Sequence, residues 1–125
     1  MRARWSTRPR FHRALRAEIA AKGADDVPTS AVIAKLVHAA DAAASGAVSE
    51  IDWSHNEMTI AQLSGLERLE RDSPGGGLFY ELVLDDTDEL LPFVQRKDQT
   101  LTHFGFDRSD GIEALGGRVG MVFRW

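Results

Sequence analysis

The chain contains no cysteine, which excludes a disulfide framework and thiolate zinc sites and fits a cytoplasmic, reducing setting. It has no uncharged run approaching the roughly 18 apolar residues that cross a bilayer, and no apolar block follows its basic N-terminus. Neither a membrane span nor a secretory signal is therefore expected. Repeats and low-complexity tracts are absent as well. The four histidines, His12, His38, His55 and His103, include no pair at i, i+2 or i, i+4, so no local zinc signal arises. Gly75-Gly76-Gly77 lacks the following Lys-Ser or Lys-Thr of a phosphate loop and reads as a connector. Asp85, Asp86, Asp88 and Glu89 lack calcium-loop spacing and read as a turn in which Asp86 or Thr87 caps a short helical segment. No cofactor or metal is expected.

What is present is ordinary in bulk and uneven in distribution. Apolar residues make up 43% and charged residues 27% of 125 residues, the composition of one globular domain able to bury about two-thirds of its unfolded surface. A single domain over 1–125 is expected, with a basic N-terminal arm over 1–22. The net charge of −4 divides into +6 over residues 1–22 and −10 over the remainder. Such asymmetry speaks to partners rather than to fold.

Periodicity assigns helices to the first half. Phe11, Leu15 and Ile19, with Ala14, predict a first helix over 8–22 that buries this stripe and exposes Arg10, Arg13 and Arg16. A second helix is expected from Pro28 to about Ser45, burying Ile33, Leu36, Val37 and Ala40, its alanine-rich end open to close approach. Residues 48–53 alternate as a short strand, with Val48, Ile51 and Trp53 set against Glu50 and Asp52. Thr59 and Gln62 match a capping box, and Ile60, Leu63, Leu66 and Leu69 predict a third helix over 60–72. After Ser73-Pro74-Gly75-Gly76-Gly77 the period changes to two. Strands are expected at 78–84, 91–96, 101–106 and 118–125, with a tight hairpin at 97–100. Val119, Met121, Phe123 and Trp125 should share the core face of the last strand. The expected class is α+β: three N-terminal helices packed on one face of a C-terminal antiparallel meander of about four strands.

Three functional readings follow from these residues. The favoured one is a non-enzymatic interaction module, an adaptor, inhibitor or assembly subunit. Its Arg2, Arg4, Trp5, Arg8, Arg10, Arg13 and Arg16 would meet an acidic protein, and Asp85, Asp86, Asp88 and Glu89 a basic one, including a second copy of the chain. The alternative is a nuclease-like enzyme acting on RNA, with Glu81, Arg96 and His103 in acid–base and phosphate-stabilising roles, an analogy of coarse topology. The third is a nucleic-acid binder using the Arg-rich segment with Trp5, Phe11 and His12 interleaved, which the acidic remainder of the chain would oppose. Glu50, Asp52, His55 and Glu57 form the densest set of oxygen and nitrogen ligands, and a solvated strand edge explains them equally well.

Overall fold

A computed structural model describes residues 8–23, 26–98, 101–103 and 122–124. The chain divides into two compact units, residues 1–82 and 83–125. The protein is α+β, with helices and a mixed sheet of three strands in the first unit. Among the described residues, no helix is long and apolar enough to cross a membrane.

In the first unit, helix α1 (Arg8–Ala21) and helix α2 (Thr29–Ala44) precede strands β1 (Val48–Asp52), β2 (Thr59–Leu63) and β3 (Leu78–Glu81). The strand order is β1-β2-β3, with β2 central, antiparallel to β1 and parallel to β3. The third helix expected over 60–72 is replaced by β2 and a single 3-10 turn, Leu66–Arg68. A central strand covered on both faces reads as a near-continuous apolar run, and over Thr59–Leu63 that run imitates helical spacing. The residues expected to extend the helix instead form part of the long return that a parallel β2–β3 pair requires.

The pairing assigns the two faces of the sheet. Ile51, Ala61 and Tyr80 align across it, as do Thr59 with Leu78, while Glu50, Gln62 and Glu81 occupy the opposite face. An irregularity between Val48 and Glu50 returns Val48 to the Ala61 side, where it pairs with Leu63. Val48, Ala61, Leu63 and Leu78 then form a core with Ala39 of α2, and Ala42, Ile51, Leu69, Tyr80 and Leu82 pack against it. Full burial of such an aliphatic side chain contributes about 1.5–3 kcal/mol.

Helix α2 lies on this core with the face opposite to the expected one. Lys35 and Ala39 are buried, whereas Ile33, Leu36 and Val37 are exposed, as is Ala40. The Lys35 ammonium group is the cause: it donates to the Asn56 carbonyl and, at 3.0 Å, to the Gly76 carbonyl. Small Ala39 allows the close approach anticipated from composition. The Gly76 carbonyl is presented by three consecutive left-handed residues, Gly75, Gly76 and Gly77, with φ of 76°, 65° and 79°, a run that glycine adopts without a Cβ penalty. A Cβ at Gly77 would also overlap the Glu57 carbonyl oxygen, so the triglycine segment is a shaped turn against the β1–β2 loop.

The stripe of α1 is rotated as well. His12, Leu15, Arg16 and Ile19 are half-buried, and Phe11 is 65% exposed. Polar tethers, described below, take the place that Phe11 was expected to fill.

In the second unit, residues 91–93 of the strand expected over 91–96 end a 3-10 segment, Thr87–Phe93, and Arg96 lies in a turn. Asp86 caps it as anticipated: its carboxylate accepts from Asp88 N at 2.9 Å, and Glu89 Oε1 accepts from Asp86 N at 3.0 Å. Strands β4 (Leu101–His103) and β5 (Val122–Arg124) pair in parallel, which replaces the expected antiparallel meander. The side chains of Val119, Met121, Phe123 and Trp125 lie outside the described residues, as do residues 99–100 of the expected hairpin.

Two buried groups give alkaline stability opposite slopes. Burial holds Lys35 below the usual lysine range, opposed by nearby Glu57. The unfolded chain therefore binds the extra proton, and this group's contribution improves as pH rises toward 10.5, the ordinary value. Burial pushes the Tyr80 phenol up, with Glu70 adding to the effect. Its contribution is present below pH 10.0 and is lost as pH rises through the raised folded value. Among the described residues the buried Tyr80 hydroxyl has no hydrogen-bond partner, a desolvation cost without return. Tyr80→Phe is expected to raise stability by about 1 kcal/mol at neutral pH and to flatten the decline above pH 10 in urea titrations. A destabilised variant would show that the hydroxyl is satisfied in solution.

Candidate functional site

The sheet face opposite α2 carries Glu50 and Asp52 from β1, Ile60 and Gln62 from β2, and Phe79 and Glu81 from β3. Alternation along each strand puts these side chains together. Helix α1 is attached to this face by polar contacts. His12 Nε2 lies 2.7 Å from Glu81 Oε2, with both side chains roughly four-fifths buried. One turn later, Arg16 hydrogen-bonds His55 Nε2. A guanidinium only donates, so His55 accepts at Nε2 and carries its proton on Nδ1. That nitrogen faces Glu57 Oε1 at 3.8 Å.

Between α1 and the sheet lies a half-open cleft of about 730 Å³, lined by Pro9, His12, Asp52, Trp53, Ile60 and Gln62 among others. Asp52 is fixed at its edge: its carboxylate accepts from the Ser54 hydroxyl and from Ser54 N at 2.9 Å. Those bonds hold its carboxyl below the usual range, the hydroxyl contributing most, with His55 and His12 adding to the effect against the opposing influence of burial. Carboxylates beside the Trp53 indole form a surface that favours cations over anions. Among the described residues, the hydroxyls of Ser45, Ser49 and Ser64 donate to backbone carbonyls, that of Ser54 donates to Asp52, and that of Ser73 accepts from Gly75 N. None forms the hydroxyl–imidazole pair that nucleophilic catalysis needs.

The residues singled out in the sequence are dispersed. Arg2, Arg4 and Trp5 lie outside the described residues, as does the side chain of Arg8. Arg10 and Arg13 are exposed on α1, whereas Arg16 is engaged by His55. Asp85, Asp86, Asp88 and Glu89 are exposed, and Asp86 and Glu89 also serve the capping box. Glu81 belongs to the first unit and is paired with His12; Arg96, exposed in a turn, and His103, in β4, belong to the second. Glu50 and Asp52 line the cleft while His55 and Glu57 join the Arg16 contact. Among the described residues, no three His, Asp or Glu side chains are grouped to hold a metal ion.

Two features lay beyond sequence reading. The His12–Glu81 contact spans 69 positions and leaves no local pattern. The outward apolar face of α2 follows from the burial of Lys35, which a helical wheel places on the polar side. No family model matches the chain, and neither a curated protein nor a solved structure matches it.

The tether of α1 is measurable. A double-mutant cycle on His12→Ala and Glu81→Ala is expected to give a coupling of about 1 kcal/mol at neutral pH, from urea unfolding of all four chains. Additive effects would mean that the pair does not hold the helix.

Proposed function

We propose that this protein is a non-enzymatic protein-interaction module of the cytoplasm, and that its docking surface is the outward face of α2. One observation carries the reading: Ile33, Leu36 and Val37 are 56%, 41% and 64% exposed on one side of a regular helix. Their i, i+3, i+4 spacing, continued by exposed Ala40, is that of a helix face made for packing.

The magnitudes assign separate tasks to the apolar and charged surfaces. Burying a large aliphatic side chain contributes about 1.5–3 kcal/mol, against about 0.2–1 kcal/mol for an exposed ion pair. Affinity therefore resides in α2. Arg10 and Arg13 on α1, and the acidic Asp85 to Glu89 segment, set approach and selectivity through their fields. Nucleic acid is disfavoured as the partner, because the outward face of α2 presents no basic side chain to a polyanion.

A photo-crosslinking residue at position 37 tests the reading in the native host, with the same residue at exposed position 20 of α1 as control. Discrete protein adducts are expected at 37 alone, and Ile33→Asp with Leu36→Asp should abolish them. Equal labelling at both positions, or persistence in the double variant, would remove α2 as the docking face.

A further inference from the structure

Resting on that reading, we infer that the partner on α2 is a second copy of this chain, packed antiparallel about a two-fold axis at the middle of the helix.

Chemistry along the helix favours self-pairing. Among the residues of α2, Lys35 and Asp41 are charged, and Lys35 is turned inward. The outward face thus offers little to a charged partner and accepts a surface as apolar as itself. Size also matches under a two-fold through the centre of Thr29–Ala44. Ile33 of one copy meets small Ala40 of the other, while Leu36 and Val37, on opposite flanks, each meet their own symmetry mate, so large residues fall opposite small or equal ones. A parallel pair would set Ile33 against Ile33 and Ala40 against Ala40, which leaves a bulge at one end and a gap at the other.

The helix ends supply independent complementarity. Pro28 occupies the N-cap without a side-chain cap, and the first turn contains no acidic residue. Among the described residues, no side chain caps the amide groups of Thr29 and Ser30, which carry the positive end of the helix dipole. Asp41 is exposed, with no hydrogen bond or ion pair from its carboxylate among the described residues. On the helical wheel, Asp41 and Ser30 lie on the same flank of the apolar face. A two-fold across the helix keeps flanks together and exchanges ends, so Asp41 of each copy arrives beside the partner helix's first turn. Two such contacts form per dimer, each placing an anion beside those amide donors.

The absence of cysteine allows a sharp test, because single cysteines report distances across the axis. In the antiparallel dimer, position 36 faces its own symmetry mate within about 2 Å along the axis, whereas the two copies of position 33 are about 10 Å apart. Sedimentation velocity of the full chain from about 1 to 300 µM is expected to show a monomer–dimer equilibrium, because one helix pair lies at the weak end of specific interfaces. Val37→Glu should leave a monomer of unchanged circular dichroism. Asp41→Lys should weaken dimerisation several-fold, and Ser30→Lys should tighten it. Under mild oxidation, Leu36→Cys should form a disulfide dimer at least about tenfold faster than Ile33→Cys.

A parent chain that stays monomeric throughout, or equal crosslinking at 33 and 36, overturns the proposal. A monomeric parent that still gives host adducts at position 37 overturns the second copy as partner while leaving α2 as a docking face. Absence of both signals removes both readings.

Discussion

The arrangement of the first unit depends on where one ammonium group lies. Lys35 sits under α2, 1% exposed, and bonds carbonyls from two separated turns, Asn56 before β2 and Gly76 before β3. Because β2 and β3 are neighbours in parallel, the entrances to both strands lie at the same end of the sheet. One cation can serve both there. Charge burial is costly, and the carbonyls, together with the nearby Glu57 carboxylate, offset part of that cost. The same contacts set the rotation of α2. With Lys35 inward, Ile33, Leu36 and Val37 point outward, so the proposed docking face is a consequence of how the core is satisfied.

The opposite side of the sheet is held by different means. Helix α1 approaches through His12 and Arg16 rather than through a filled apolar interface, and it leaves an acidic cleft beside Trp53. The two helices therefore divide the work. Helix α2 closes the core and presents an apolar surface, while α1 is attached by side-chain hydrogen bonds and presents Arg10 and Arg13. The polarised charge seen along the chain survives in three dimensions as a basic helix lying over a sheet face that carries Glu50, Asp52 and Glu81.

Legibility in the sequence followed the range of the interactions. Both long helices, the 48–52 strand, the triglycine break and the Asp86 cap were readable because each depends on neighbours within a few residues. The buried sides of α1 and α2 were not. Amphipathic reading assumes that the aliphatic stripe faces inward and charge faces outward, and Lys35 reverses the rule through carbonyls 21 and 41 positions away. β2 was misread because burial on both faces erases alternation. The parallel β2–β3 and β4–β5 pairings defeated the preference for hairpins, since nothing in the spacing of Val, Leu and Phe encodes strand direction. Of the proposed contact residues, Arg10, Arg13 and the 85–89 acids were legible as surface charge, whereas the α2 face emerged from packing.

The chain has three lysines, Lys22, Lys35 and Lys97, so amine acetylation under native conditions, followed site by site by mass spectrometry, tests the orientation of α2 directly. Lys22 and Lys97 are exposed and should acetylate at model-amine rates, with Lys35 slower by about a hundredfold or more and reacting only when the unit opens. A lowered ionisation would make an accessible Lys35 more reactive than its fellows, because it is the neutral amine that attacks. Acetylation of Lys35 as fast as that of Lys22 would therefore contradict the account, returning the lysine to solvent and the aliphatic face of α2 to the core.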